Sequence, residues 1–153
     1  MPTSIRDSLR AEMETNRANF QALLNQFSEA DLTRPSANPA FSVKAILHHM
    51  TNSLQTVPLE ARAAQRGHNL LVMPQGLYDI LIVPGTRFTA WFQNKASLAR
   101  NYDAAHKQAL KALDAVQDAE WTCPLQMLYV KTTLEGVFRL QARHIAEHTA
   151  QVI

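Results

Sequence analysis

Six histidines are the side chains in this chain best suited to chemistry: His48, His49, His68, His106, His144 and His148. His144 and His148 stand four apart in a stretch that reads RHIAEH. On an α-helix that offset is one turn, with Cβ atoms only about 5–6 Å apart, so two imidazoles can reach one ion. A neutral imidazole is a good ligand for zinc and similar divalent ions. An isolated HxxxH pair is more often two partly buried, hydrogen-bonded histidines, so the pair needs support from elsewhere in the chain. Glu147 does not make it the HExxH of a zinc protease, because it precedes the second histidine and falls on the outward face.

At about 100° per residue, Leu134, Val137, Phe138, Gln141, Ile145 and Val152 share one side of the last helix. His148 lies within roughly 40° of the centre of that side and His144 within roughly 70°. Arg139, Arg143 and Glu147 point away. The adjacent pair His48 and His49 belongs to an earlier helix. Its apolar face runs through Val43, Ile46, Met50, Leu54 and Val57. His49 sits at the edge of that face and His48 almost opposite, so His49 is the better ligand and His48 is expected in solvent. His68 falls at the start of a loop and His106 on a helix beside Lys107. Neither shows a metal spacing.

Three imidazoles would leave at least one coordination position open, whereas a structural zinc site is closed by four protein ligands. No fourth ligand is evident. Gln141, one turn before His144 on the inner side, reads equally as a cofactor or substrate contact and as a polar group satisfied by the backbone. Trp91, Tyr102, Trp121 and Tyr129 could wall a pocket or simply fill the core. Cys123, the sole cysteine, has no neighbour in sequence that would activate its thiol, and an inert packed thiol is expected.

Helices must carry these side chains. Ile5, Leu9, Met13, Asn16, Phe20, Leu23, Leu24 and Phe27 keep a three-four spacing, with Asn16 as one polar interruption, that predicts a first helix over about 4–27. Pro35 and Pro39 break the chain over 28–40. Ser42 is a suitable N-cap for a second helix to about Arg66, which Pro58 should kink or end early and Gly67 should stop. Residues 67–85 read as a packed crossover with a short helix, or as two short strands around Leu81, Ile82 and Val83. A third helix is expected over about 86–116, a connection over 118–131, and a fourth helix from Thr132 or Thr133 to the end, opened by a Thr132–Glu135 capping box. The fold class is therefore all-α, a four-helix bundle with one long crossover.

Bulk properties agree. The 153 residues suit a single domain over 1–153. With 46% hydrophobic and 18% charged residues the composition is that of a globular protein. Only four glycines argue against a barrel or sandwich with many tight turns. The net charge of +2 is scattered, which gives no basic stripe for nucleic acid. No apolar run approaches the roughly 20 residues of a membrane span. The N-terminal stretch MPTSIRDSLRAEMETN lacks the apolar core of a signal peptide. One cysteine fits a reducing compartment, so a cytoplasmic location is expected.

The stretch Phe41–Met50, FSVKAILHHM, resembles the second-helix signature of the DinB/YfiT-like superfamily, in which an aromatic residue and serine open the helix and a histidine follows about two turns later. Aligned so, the family's first metal histidine falls on His49. The stretch Arg143–His148 resembles the family's last-helix HxxxH, which places the other two on His144 and His148. Phe41 stands where tryptophan is more usual. The resemblance implies an up-down-down-up bundle, often a homodimer, with one divalent ion that could be zinc, nickel or iron. It also implies a possible low-molecular-weight thiol partner such as bacillithiol, mycothiol or glutathione. The functions that follow are a metal-dependent thiol transferase or hydrolase, or else a non-catalytic metal-stabilised dimer or small-molecule binder.

Overall fold

The computed structural model describes residues 4–152. Helix α1 spans Ile5–Asn25, with the Ser4 hydroxyl accepting from the Asp7 amide at its N-terminus. Helix α2 spans Val43–Gln65, capped by Ser42 accepting from the Ala45 amide. It continues past Pro58 to Gln65, so the expected early end does not occur. Its C-terminus closes where Gly67, at φ 67°, donates to the Ala64 carbonyl and His68 donates to the Ala63 carbonyl. This paired return needs a left-handed residue, which glycine adopts without a Cβ penalty.

Helix α3 spans Gln75–Trp91 and helix α4 spans Lys95–Asp114. The single third helix expected over 86–116 is thus two helices. The break has a local cause: Asn94 and Ser97 form a reciprocal capping box that starts a new helix. Residues 75–85 belong to α3, and Leu81–Val83 are helical rather than extended. Residues Pro124–Met127 (β1) and Val130–Thr133 (β2) form an antiparallel hairpin inside the expected connection. Leu70 bridges to Met127 alongside it, so the start of the crossover is tied to the hairpin. Helix α5 spans Leu134–Val152. Its first turn is held by the Thr133 hydroxyl accepting from the Gly136 amide, rather than by a Thr132–Glu135 box. A side chain at position 136 would collide with the Thr132 hydroxyl, which explains the glycine at this junction.

Side-chain bonds give the helix directions. Arg10 pairs with Asp114, His106 with Glu14 and Arg17 with Asp103, so α1 and α4 are antiparallel. Ser53 bonds Gln141 while His49 meets His148, so α2 and α5 are antiparallel. Gln65 at the end of α2 donates to Glu120 just past the end of α4, so those two are parallel. The order α1, α2, α4, α5 is therefore up-down-down-up, with α3 as the crossover. Each of α1 and α2 packs on both α4 and α5, around a core that includes Leu9, Phe20, Ile46, Leu98, Leu134 and Phe138. Phe20 stacks on Tyr102 at 3.8 Å between ring centroids. Each large side chain buried here contributes about 1.5–3 kcal/mol relative to exposure. No helix of the described residues is long and apolar enough to cross a membrane.

Candidate metal centre

Antiparallel packing of α2 on α5 brings His49 against His144 and His148. The ring centroids are 4.8 Å (His49–His144), 5.0 Å (His49–His148) and 4.4 Å (His144–His148) apart. One ligand nitrogen from each lies within 4.8 Å of the others. Two nitrogens on one zinc, each at about 2.1 Å, stand at most about 4 Å apart. The cluster is therefore within a small side-chain adjustment of a three-nitrogen site. All three rings are partly buried.

The electrostatics favour the neutral, ligand form. Burial pushes His49 down to about 4, helped by His148 and His48 nearby. Burial likewise pushes His144 down to about 3, with His49, His148 and Arg143 adding repulsion. Both rings are free of a second proton at neutral pH, so a cation does not have to displace one. His144 Nε2 is buried without a hydrogen-bond partner. Leaving such an atom unpaired costs about 1–3 kcal/mol, and a bound cation would remove that cost. The donor set and the orphaned nitrogen together fit a divalent ion.

The surroundings hold the rings in place. Gln151 Oε1 can only accept, so His148 Nδ1, 2.8 Å away, donates to it. That bond fixes the tautomer and leaves Nε2 with its lone pair. Gln151 is itself anchored: its backbone carbonyl accepts from the Ala37 amide at 2.8 Å, and Asn38 Nδ2 donates to its Oε1 at 3.4 Å. The Phe41 ring lies nearly parallel to His49, 5.8 Å between centroids. The proline-bearing loop before α2 thus braces two of the three imidazoles. The Gln151 and Asn38 supports were absent from the sequence reading. A signal existed for Gln151, which lies three residues after His148 on the same helix side.

Gln141 is buried one turn from His144. Its Oε1 accepts from the Ser53 hydroxyl at 3.3 Å, and its Nε2 faces the Ser53 carbonyl at 3.5 Å. Ser53 is itself one turn beyond His49, so this pair ties α2 to α5 directly below the cluster.

His48 is where the structure departs most from expectation. It is 7% exposed, not solvated. Helix α3 lies over the outer side of α2, a packing face that a two-sided helical wheel omits. There His48 Nε2 accepts from Asn52 Nδ2 at 3.3 Å and lies 2.9 Å from Thr89 Oγ1 of α3. His68 is exposed past the end of α2, and His106 is buried beside Glu14. The four aromatic candidates do not gather at the cluster. Tyr102 and Trp121 are core, Tyr129 sits at the hairpin turn against Tyr78, and Trp91 is 79% exposed on α3. Cys123 is free and half-buried. Its carbonyl accepts from the Leu134 amide at the start of α5, about 20 Å along that helix from His148 at 1.5 Å per residue.

The fold resembles two crystal structures, those of a mycothiol-dependent maleylpyruvate isomerase and of a histidine-to-alanine mutant of that enzyme. Each aligns with a TM-score of 0.77 at 9% sequence identity, over 99% of this chain and 63% of the other. The chain thus spans less than two thirds of the isomerase, and the likeness is one of fold. No curated protein matches the sequence. The sequence profile of the DinB superfamily matches residues 12–152, from the middle of α1 to the end of α5 and across all three histidines. The chain belongs to the DinB superfamily.

Proposed function

We propose that the protein binds one divalent metal ion through His49, His144 and His148 and acts as a metal-dependent enzyme on a low-molecular-weight thiol or another small molecule, as a thiol transferase or a hydrolase. The observation that carries this reading is the convergence of three partly buried imidazoles with one nitrogen of each within 4.8 Å of the others, and one of them with an orphaned nitrogen. Zinc, nickel and iron all accept imidazole nitrogen. When bound, such an ion supplies Lewis acidity at its open position and favours the thiolate or hydroxide form of a ligand there. His148 is held in the ligating tautomer by Gln151, and His49 is held in plane by Phe41. In this reading Gln141, one turn below the ligands, would meet a polar group of the bound molecule by exchanging its bonds to Ser53. The mycothiol-dependent neighbour supports a thiol as the co-substrate.

Elemental analysis of protein purified without a nickel column tests the assignment. Near-stoichiometric metal is expected in the wild type and little in His49→Ala or His148→Ala. Equal, low metal in all three proteins would sink it.

One observation favours a second reading, a metal-stabilised homodimer without catalysis. Leu77, Ile80 and Leu81 of α3 form an exposed aliphatic stripe, between 44% and 70% exposed. Sedimentation of wild type and Ile80→Glu distinguishes the two. A dimer that dissociates on this substitution, together with no thiol-dependent activity, favours the second reading.

A further inference from the structure

A groove of about 770 Å³ runs beside the histidine cluster, between the loop before α2, the first turn of α2 and the last two turns of α3. None of the three clustered imidazoles lines it, but Phe41, which stacks on His49, forms part of its wall. The other side chains that matter are Pro35, Lys44, Arg87, Phe88 and Trp91. Its size falls in the roughly 300–1,000 Å³ range of small-molecule sites. Two features set its chemistry. Three aromatic rings give flat apolar walls, and Phe88 and Trp91 are 68% and 79% exposed there. The charge is one-sided: Lys44 and Arg87 line the groove and no acidic side chain does. Among the described residues neither cation pairs with a carboxylate. Lys44 Nζ donates once, to the Trp91 carbonyl at 3.2 Å. An ammonium has three N–H donors and a guanidinium five, so donors remain for a ligand on both.

We infer that this groove binds an organic anion with a flat apolar body, its carboxylate or sulfonate held by Lys44 and Arg87 and its body against Phe41, Phe88 and Trp91. Phe41 is the one groove-wall ring that also stacks on His49. Anion binding in the groove stands on its own geometry; that the anion is the substrate of the histidine centre rests on the proposed function.

The probes are anilinonaphthalene sulfonate, which carries one negative charge on fused and single aromatic rings, and its uncharged analogue N-phenylnaphthylamine. Both fluoresce on entering an apolar site. Full-length wild type, with and without chelator, is expected to bind the sulfonate at least about tenfold tighter than the uncharged amine. Raising the ionic strength should shrink that preference, because partly exposed charges are screened. Lys44→Met with Arg87→Met should abolish the preference and leave affinity for the amine within about twofold. Arg87→Met alone, at a side chain without an ion-pair partner, should lose about threefold and covers the case in which the double variant fails to fold. Lys44→Arg should keep the preference.

Equal affinity for the two probes in wild type, or a preference that survives in a folded double variant, would overturn the inference. So would sulfonate affinity that weakens as protein concentration rises and the species doubles in mass, since a second copy would then occupy the groove. Metal-free His148→Ala separates the two readings. If it keeps the charge preference while wild type proves to hold no metal, the groove stands and the metal assignment fails. If metal is present and the preference absent, the reverse holds.

Discussion

Gln151→Met should weaken metal binding although Gln151 offers the ion no contact of its own. In the wild type, Gln151 Oε1 accepts from His148 Nδ1 at 2.8 Å. Methionine keeps the volume and removes the acceptor. An ordinary hydrogen bond contributes about 0.5–1.5 kcal/mol. A bond whose donor carries part of a cation's charge is roughly twice as strong, so the loss is larger in the metal-bound state than in the free one. The difference is about 1–2 kcal/mol, which raises the dissociation constant roughly 5- to 30-fold. That agrees with the general cost of about 10–100-fold for losing the partner of a ligating histidine. The assay is a competition titration of zinc against a fluorescent chelator at neutral pH, run on wild type, Gln151→Met and Gln151→Glu. The Gln151 backbone bond to Ala37 survives each substitution, so the fold should be retained. Glutamate restores the acceptor and should match or exceed wild-type affinity. Wild-type affinity in the methionine variant, or an equal loss in both, would refute the claim that tautomer control by this bond tunes the site.

Further expectations concern stability. In chelator, His49 and His144 hold folded-state values of about 4 and about 3, below the usual histidine value of about 6.5. The unfolded chain therefore binds more protons between those limits, so metal-free stability should fall as pH drops below about 6.5 and stop falling near the folded values. Urea melts across that range check the sign, and a flat profile would contradict the burial of these rings. His48→Ala should cost about 0.5–3 kcal/mol by removing a buried ring and its contacts to Asn52 and Thr89, with metal content unchanged, as thermal melts and elemental analysis would show. Loss of metal in that variant would mean His48 was wrongly set aside. Phe138→Ala should cost about 3–5 kcal/mol by opening a cavity against Trp121. A loss under 1 kcal/mol in denaturant unfolding would place Phe138 outside the rigid core.

What could be read from the chain alone divides along physical lines. Helices α1, α2 and α5 carry long three-four apolar patterns with polar N-caps, and their boundaries fall within a few residues of expectation. The histidine cluster was legible for the same reason. Each histidine rides on a long helix, where phase is set by 3.6 residues per turn over several turns, and the likeness to the DinB pattern picked His49. The misses lie where local signals are short. The α3–α4 break depends on one Asn94–Ser97 box inside an otherwise continuous apolar rhythm. The hairpin turns at Leu128 and Tyr129, with Leu128 at φ 52°. That turn carries no glycine or asparagine, so nothing in its residues announced it.

His48 shows why a helical wheel is incomplete in a bundle with a crossover. A wheel sorts side chains by one buried face, but α2 has two: one toward α4 and α5, and one beneath α3. His49 lies at the edge of the first and His48 within the second, so adjacent histidines are both withdrawn from solvent while facing different neighbours. Only His49 meets other imidazoles. His48 meets a hydroxyl and an amide, both at Nε2, while its Nδ1 is buried without a partner and no second imidazole lies beside it. The crossover therefore has consequences beyond connection. It covers His48, supplies Arg87, Phe88 and Trp91 to the groove, and receives the Lys44 ammonium at the Trp91 carbonyl. A substitution that loosens α3 from α2, such as Thr89→Val, should then disturb anion binding in the groove before it disturbs metal binding on α2 and α5. Parallel titrations with the sulfonate probe and with zinc check that order. Equal losses in both would mean that α3 supports the metal centre as directly as it supports the groove.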